Sequence, residues 1–136
     1  MPGQQLTQRG VVSICLALPF PPSSNHANAI GKNRKTGKPQ MYSDKAKCTF
    51  LREADAMFLA QKRQLAGARI TGPFVYHLVL NERLRHANAD GDNRAKYALD
   101  YAQRVGLITN DKLALGGSWC WAPCAWPALL ELVPCG

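Results

Sequence analysis

Two segments in which apolar residues alternate are the feature that most restricts how this chain can fold. The first runs from Val12 to Leu18, and the second runs from Phe74 to Leu80 directly after Gly72-Pro73. A period of two is typical of β-strands, and the proline and glycine residues that flank the two segments agree with that interpretation. The sequence therefore predicts at least two strands of a small sheet.

Two segments with helical spacing alternate with these strands. The first follows Ser43, a residue type that favours the N-cap, and extends to about Gln64. The second extends from Asn93 to Val105, and Gly106 predicts its left-handed end. A chain of 136 residues is long enough for one domain with one hydrophobic core. We expect an α+β single domain in which a small mixed β-sheet packs against two main helices.

The last part of the chain, residues 114–136, differs in composition from residues 1–113, which we take as the main domain. It contains all three tryptophans, three of the five cysteines and one charged residue, Glu131. This change favours a recent frame change or gene erosion, and the tail is expected to be part of the same domain or poorly ordered. Leu129 to Val133 could form a closing strand. The alternative is an apolar dimer contact through Trp119, Trp121 and Trp126.

The five cysteines do not predict a disulfide framework, because their number is odd. Cys15 and Cys48 are most simply small buried residues. A zinc site would need a fourth ligand near the other three cysteines, and the sequence places none there, so no structural metal is expected. Those three are Cys120, Cys124 and Cys135.

An apolar stretch from Val11 to Phe20 follows Arg9, and Ala27-Asn28-Ala29 resembles a signal-peptidase site, so a secretory signal has to be considered. The alternation and the prolines after Leu18 favour a strand instead. No segment approaches the roughly 20 apolar residues of a membrane-spanning helix. The expectation is a cytoplasmic protein without a membrane partner.

The charge of the chain is strongly positive. Seventeen Lys and Arg residues against nine Asp and Glu residues give a formal net charge of +8, which suits a polyanion and makes nucleic acid the leading partner. The segment from Asn25 to Pro39 is interpreted as a cationic loop that could follow phosphates, with a solvated loop without a partner as the alternative. Its basic residues are Lys32, Arg34, Lys35 and Lys38.

Three of the few carboxylates stand at chemically suggestive positions. Asp90 and Asp92 are separated by Gly91, and Asp111 follows the second predicted helix. Two aspartates at this spacing can direct their oxygens at one small volume, where their charges repel unless a hard cation such as Mg²⁺ neutralises them. Lys96 lies one helical turn after Asp92 and could offset charge that develops on a phosphodiester. A helix cap is the alternative role for Asp92 alone.

Several other enzyme classes are excluded by their motifs. The chain has no Gly-x-x-x-x-Gly-Lys phosphate loop and no nucleophile elbow. A calcium loop aligned on Asp90-Gly91 would have His86 at its first position and Tyr97 at its twelfth, so both obligatory acids are missing.

Taken in order, these motifs resemble the RusA-type Holliday junction resolvases, which are crossover junction endodeoxyribonucleases of bacteria and their phages. The resemblance extends roughly from Val12 to Asp111. It rests on the first strand and the residues that follow it, on the basic loop, on the helix after Ser43 and on an ordered set of polar residues. The quoted motifs are Leu18-Pro19-Phe20-Pro21-Pro22-Ser23-Ser24-Asn25 and the series Asp90-x-Asp92-Asn93, Lys96, Gly106 and Asp111.

The resemblance implies a magnesium-dependent homodimer that binds a four-way DNA junction and makes paired symmetric nicks, in recombination and repair. Asp90, Asp92 and Asp111 match the family's metal-binding acids, and Lys96 matches its active-site lysine. A degenerate protein that binds branched DNA without cutting it is the alternative. The residues expected to contact DNA are Asn25, Lys32, Arg34, Lys35, Lys38, Arg83 and Arg85.

The chain departs from the family pattern in three places. Asn110-Asp111 stands where the family often has paired acids, which removes one negative charge. Arg83, Arg85 and His86 replace a denser basic run before the first acid. The segment after Leu113 lacks the ordinary alternation of the family's last strand.

Overall fold

The computed structural model describes residues 3–6, 12–22, 28–32, 39–43, 45–86 and 94–135. These residues form a mixed sheet, a separate pair of short strands and two helices, so the predicted α+β class is confirmed. In chain order the elements are β1 (Gly3–Leu6), β2 (Val12–Leu18), β3 (Asn28–Lys32), β4 (Pro39–Ser43), α1 (Lys45–Gln61), β5 (Phe74–Asn81), α2 (Ala95–Arg104), β6 (Ala114–Ala122) and β7 (Ala128–Pro134).

The main sheet has five strands in the order β1-β2-β7-β5-β6. Every neighbouring pair is antiparallel except β5 and β6, which are parallel. Parallel neighbours need a crossover connection, and α2 lies in the crossover that joins β5 to β6. The residues that come after β5 are therefore brought back to the start of β6 by way of α2.

The C-terminal residues belong to this sheet. β7 lies between β2 and β5 and buries Ala128, Leu130 and Leu132, with intermediate residues between them. The closing strand expected near Leu129 is confirmed. β6 adds the outer strand, so a poorly ordered terminus does not describe residues 114–135.

The hydrophobic core lies between one face of the sheet and the two helices. Phe74, Leu78 and Leu80 of β5 are fully buried and belong to the same cluster as Phe50 of α1 and Tyr101 of α2. Burying a side chain of this size contributes about 1.5 to 3 kcal/mol. Because successive strand residues face opposite sides of a sheet, the residues that alternate with these three face away from the helices.

One glutamine fixes the end of α1 to the sheet. The last residue of β2 that pairs with β1 is Cys15, which faces Gly3. Two residues further along β2, the Gln61 side chain takes the place of a neighbouring strand. Its Oε1 accepts from the Ala17 N–H at 2.7 Å, and its Nε2 donates to the Ala17 carbonyl at 2.8 Å. Leaving these buried backbone groups unpaired would cost about 1 to 3 kcal/mol each.

The strongly periodic elements agree with their predictions, and the basic loop does not. β2, β5 and α2 occupy the expected segments, and Gly106 has the predicted positive φ, +85°. The interpretation of residues 25–39 as a loop is wrong in part, because β3 and β4 pair there in antiparallel register. Ser43 ends β4. Among the described helices, none is long and apolar enough to cross a membrane.

Candidate active site

The predicted site residues divide into those that the structure describes and those that it does not. Lys96, Asp111, Arg83 and Arg85 are described, and Lys32 has a described backbone position in β3. The catalytic, metal-binding and DNA-binding roles assigned to all of the predicted site residues stay predictions. Outside the described residues lie Asp90, Asp92, Asn25, Arg34, Lys35 and Lys38.

Asp111 is held at a defined place between α2 and β6. It begins a short 3-10 turn, Asp111–Leu113, which Asn110 caps by accepting a hydrogen bond from the Lys112 N–H at 2.9 Å. The Asp111 N–H in turn donates to Oε1 of Gln103, near the end of α2, at 2.9 Å. These two hydrogen bonds fix the backbone of Asp111 beside the helix that contains Lys96.

A second carboxyl group meets Asp111 at this point. Partial burial raises the pKa of the Asp100 carboxyl above its usual value, and a side-chain hydrogen bond with Asp111 and the negative charge of Asp111 raise it further. Lys96 and Lys47 act on the Asp100 pKa in the opposite direction. Full ionisation of the pair is therefore unfavourable.

Lys96 belongs to the same cluster. It is exposed on α2 four residues before Asp100, which places both on one face of the helix. Its positive charge lowers the Asp100 pKa, so the two groups are close enough to interact. Asp100 thus connects the predicted lysine to the predicted third acid.

The donor set of this cluster fits a hard cation. Mg²⁺ takes oxygen ligands, usually one or two carboxylates together with water, and Asp100 with Asp111 supplies two carboxylates beside each other. A divalent ion would offset the repulsion between the two carboxylates. Within the described ranges, no group of three or more His, Cys, Asp or Glu side chains is placed to hold one ion. Asp90 and Asp92, which were predicted as metal ligands, fall outside those ranges.

Asp100 was not predicted from the sequence, although its spacing from Asp92 and Lys96 could have identified it. Asp92, Lys96 and Asp100 follow one another at intervals of four residues. That interval returns to the same face of a helix. The pairing with Asp111 could not be inferred in the same way, because it depends on the turn after Gly106.

The start of α2 is anchored by a buried arginine. Asp92 lies outside the described residues, so its alternative role as a helix cap stays a prediction. Arg94 occupies the N-cap position of α2. Its Nη1 donates to the Pro21 carbonyl at 2.6 Å, and its guanidinium lies 4.5 Å from the ring centre of Phe20. Phe20 stacks on Trp121 of β6 at 5.9 Å. These contacts join the beginning of α2 to the segment that follows β2.

Arg83 and Arg85 lie just beyond the end of β5. Asn81 organises this end, since its Oδ1 accepts from the Arg83 N–H at 3.0 Å and its Nδ2 donates to the carbonyls of Cys124 and Trp126 at 3.1 and 3.3 Å. Arg83 and Arg85 are both exposed. Their side chains are accessible to a phosphate backbone.

Comparison with protein-family models gives no match for this chain, and comparison with curated protein sequences gives none either.

Proposed function

We propose that this protein is a magnesium-dependent, structure-selective endodeoxyribonuclease that resolves four-way DNA junctions by paired symmetric nicks. The observation that carries the proposal is the pair of carboxyl groups at Asp100 and Asp111, with Lys96 on the same helix face as Asp100. The order of motifs that resembles the RusA-type resolvases supports it. Such an enzyme would act on bacterial or prophage DNA in the cytoplasm, in recombination and repair.

The chain's own residues have separate roles in this proposal. Asp111 contributes a carboxylate whose backbone is fixed by Gln103, and Asp90 and Asp92 complete the acidic set. Mg²⁺ held by these carboxylates would supply a Lewis acid for the scissile phosphodiester and would lower the pKa of the attacking water. Lys96 offsets negative charge that develops on the phosphate. Asp100 touches Asp111 and positions it.

The charge of the molecule supports a DNA substrate. The formal net charge of +8 attracts a polyanion to the molecule as a whole, whereas the negative charge of Asp100 and Asp111 is confined to one small region. Arg83 and Arg85, together with the basic segment from Lys32 to Lys38, are proposed to contact phosphates without reading sequence. A homodimer would present two such sites related by a two-fold axis, which matches a junction that is itself nearly two-fold.

Cleavage of a synthetic four-way junction tests the proposal. The wild-type protein should nick the junction symmetrically with Mg²⁺ and only bind it in EDTA. Asp111→Asn should reduce cutting at least about 100-fold while binding persists, because it removes a ligand charge and leaves a similar shape. Lys96→Ala should slow cutting by about 10- to 100-fold. Glu53→Gln, an exposed acid of α1, is the matched control and should cut normally.

Two outcomes would redirect the interpretation. Undiminished cutting by a folded Asp111→Asn protein would contradict the assigned site. Binding of the junction by the wild-type protein without nicks, with and without Mg²⁺, would identify a degenerate protein that retains only branched-DNA binding.

A further inference from the structure

Three side chains form a polar cluster on the sheet face that points away from the helices. His77 of β5 lies between Ser118 and Cys120 of β6. Its Nδ1 is 2.6 Å from Oγ of Ser118, and its Nε2 is 3.5 Å from Sγ of Cys120. His77 alternates along β5 with the buried residue Leu78, so the cluster and the Asp100–Asp111 pair lie on opposite sides of the sheet.

The hydrogen bonds define which imidazole nitrogen can bind a ligand. A hydroxyl oxygen accepts a hydrogen bond better than a thiol sulfur, so the favoured tautomer donates from Nδ1–H to Ser118 Oγ. The Nε2 lone pair then points at Cys120 and accepts from its S–H. Histidine ligands of metals have this arrangement, in which a partner on the second ring nitrogen fixes the tautomer and the ring orientation.

The separation of the two remaining atoms fits a tetrahedral ion. Zn–S bonds of about 2.3 Å and Zn–N bonds of about 2.0 to 2.1 Å place the sulfur and nitrogen of a tetrahedral site about 3.6 Å apart. Cys120 Sγ and His77 Nε2 are 3.5 Å apart. A zinc ion could replace the thiol proton between them if the imidazole turned by about 40°, because the Nε2 lone pair must then point at the ion and not at the sulfur.

We propose that His77 and Cys120 bind a divalent cation of the zinc class. Binding forms a Zn–S and a Zn–N bond and releases the thiol proton to solvent, without change of oxidation state. The described residues place no third His, Cys, Asp or Glu close enough to share the ion, so water completes its coordination. Sulfur and imidazole ligands do not suit Mg²⁺, and this site is independent of the proposed nuclease site.

The His77 and Cys120 side chains can be reached from solvent. A surface cavity of about 360 Å³ lies on the Ser118 side of the histidine, lined by His77 and Ser118 together with Gly116 and Glu131 among others, and Cys120 is not part of its lining. Glu131 of β7 pairs with His77 in register, so it faces the same side of the sheet and adds a negative charge there. Ser118 is exposed, and His77 and Cys120 are partly exposed. Ions can reach the two ligands from solvent.

Titration with Co²⁺ in a DNA-free buffer with a phosphine reductant tests the site. The wild-type protein should develop a thiolate-to-cobalt charge-transfer band that saturates at one equivalent, and Zn²⁺ should displace it. Cys120→Ser should abolish the band, and Ser118→Ala should weaken the affinity about 10- to 100-fold by releasing the imidazole. Cys124→Ser is the matched control and should titrate like the wild type. A full band in Cys120→Ser, or none in the wild type, would overturn the proposal.

Protection from alkylation gives a second readout that needs no variant. Iodoacetamide should modify Cys120 at least about tenfold more slowly with Zn²⁺ than without it, whereas the exposed Cys48 should react equally in both conditions. Equal labelling of Cys120 in both conditions would refute zinc binding there. Neither measurement uses junction DNA, so their outcome does not depend on the proposed nuclease activity.

Discussion

Burial, followed by a side-chain hydrogen bond with Asp111 and the negative charge of Asp111, raises the pKa of the Asp100 carboxyl. The fold therefore maintains an arrangement that disfavours ionisation of Asp100 in the absence of a cation. Arrangements of this kind are concentrated at functional sites, where stability is given up for chemistry. Measurements of stability alone can therefore test whether the Asp100–Asp111 pair belongs to a functional site.

Asp100→Asn is expected to stabilise the metal-free protein near pH 7 while impairing junction cutting. A raised folded-state pKa means that the folded protein binds more protons than the unfolded chain, so the wild type loses stability as pH rises through that range. The Asp100→Asn variant does not lose stability in this way. Its free energy of unfolding should exceed that of the wild type by less than about 1 kcal/mol, because Asp100 is partly exposed and screened, and the difference should vanish below pH 4.

Urea unfolding in EDTA between pH 3 and pH 7 measures the effect, with Glu53→Gln as the control. An Asp100→Asn protein that is less stable than the wild type at every pH would show that the carboxyl pair is a structural contact and not a strained site.

Tyr101→Phe is expected to lower the free energy of unfolding by about 1 kcal/mol at pH 7. Its hydroxyl donates to Oδ1 of Asp55 at 2.7 Å, and Arg104 is 3.5 Å from the other oxygen of that carboxylate. Burial, followed by the hydrogen bond to Asp55, raises the pKa of Tyr101 above its ordinary value of about 10. Above pH 10 the unfolded chain therefore loses this proton before the folded protein does, and stability falls as pH rises.

Denaturant unfolding at pH 7 and at several values above pH 10 compares the two proteins. The variant should lose stability less steeply in the alkaline range. Identical alkaline slopes would mean that Tyr101 ionises equally in both states.

Among the strands, β6 shows how neighbouring glycines can have different roles. A Cβ atom at Gly117 would overlap the ring of Tyr76, which lies across this position from β5, whereas a Cβ at Gly116 would have no neighbour within 4 Å. Gly117→Ala should therefore cost about 1 to 3 kcal/mol as the ring is displaced. Gly116→Ala, the matched control, should stay within about 0.5 kcal/mol of the wild type.

A thermal or urea unfolding series measures both variants. Tyr76→Leu combined with Gly117→Ala should recover most of the loss, because the ring that causes the overlap is gone. Additive costs in the double variant would show that the ring is not the cause.

The elements that could be predicted are those whose pattern is complete within a short segment. β2 and β5 alternate, α2 repeats its apolar residues at helical spacing, and each needs only its own residues to be recognised. β1, with the sequence Gly-Gln-Gln-Leu, has no such pattern and exists because it pairs with β2. β6 contains two glycines and is fixed by its parallel register with β5. Information of that kind lies in a distant segment.

Across the whole molecule, the difference between information in one segment and information in a distant segment also applies to the two candidate sites, the cluster at Asp100 and the cluster at His77. Lys96 was predicted from its position on a helix and Asp111 from its position after that helix, but their connection through Asp100 required the turn after α2. The cluster at His77 could not be anticipated, because Ser118 and Cys120 reach it only through the register of β5 with β6. Local spacing predicts which face of an element a residue occupies, whereas sheet register decides what it meets.

The distribution of positive charge leads to a prediction for DNA affinity. Each phosphate contact contributes about 0.9 to the slope of log affinity against log salt concentration for duplex DNA. Replacing both Arg83 and Arg85 with Gln should therefore lower the slope for junction binding in EDTA by about 2. Replacing Arg52 and Arg63, two exposed arginines at or just after α1, with Gln changes the net charge equally and is the matched control. Equal losses of slope in the two double variants would show that net charge governs binding and that the end of β5 does not contact DNA.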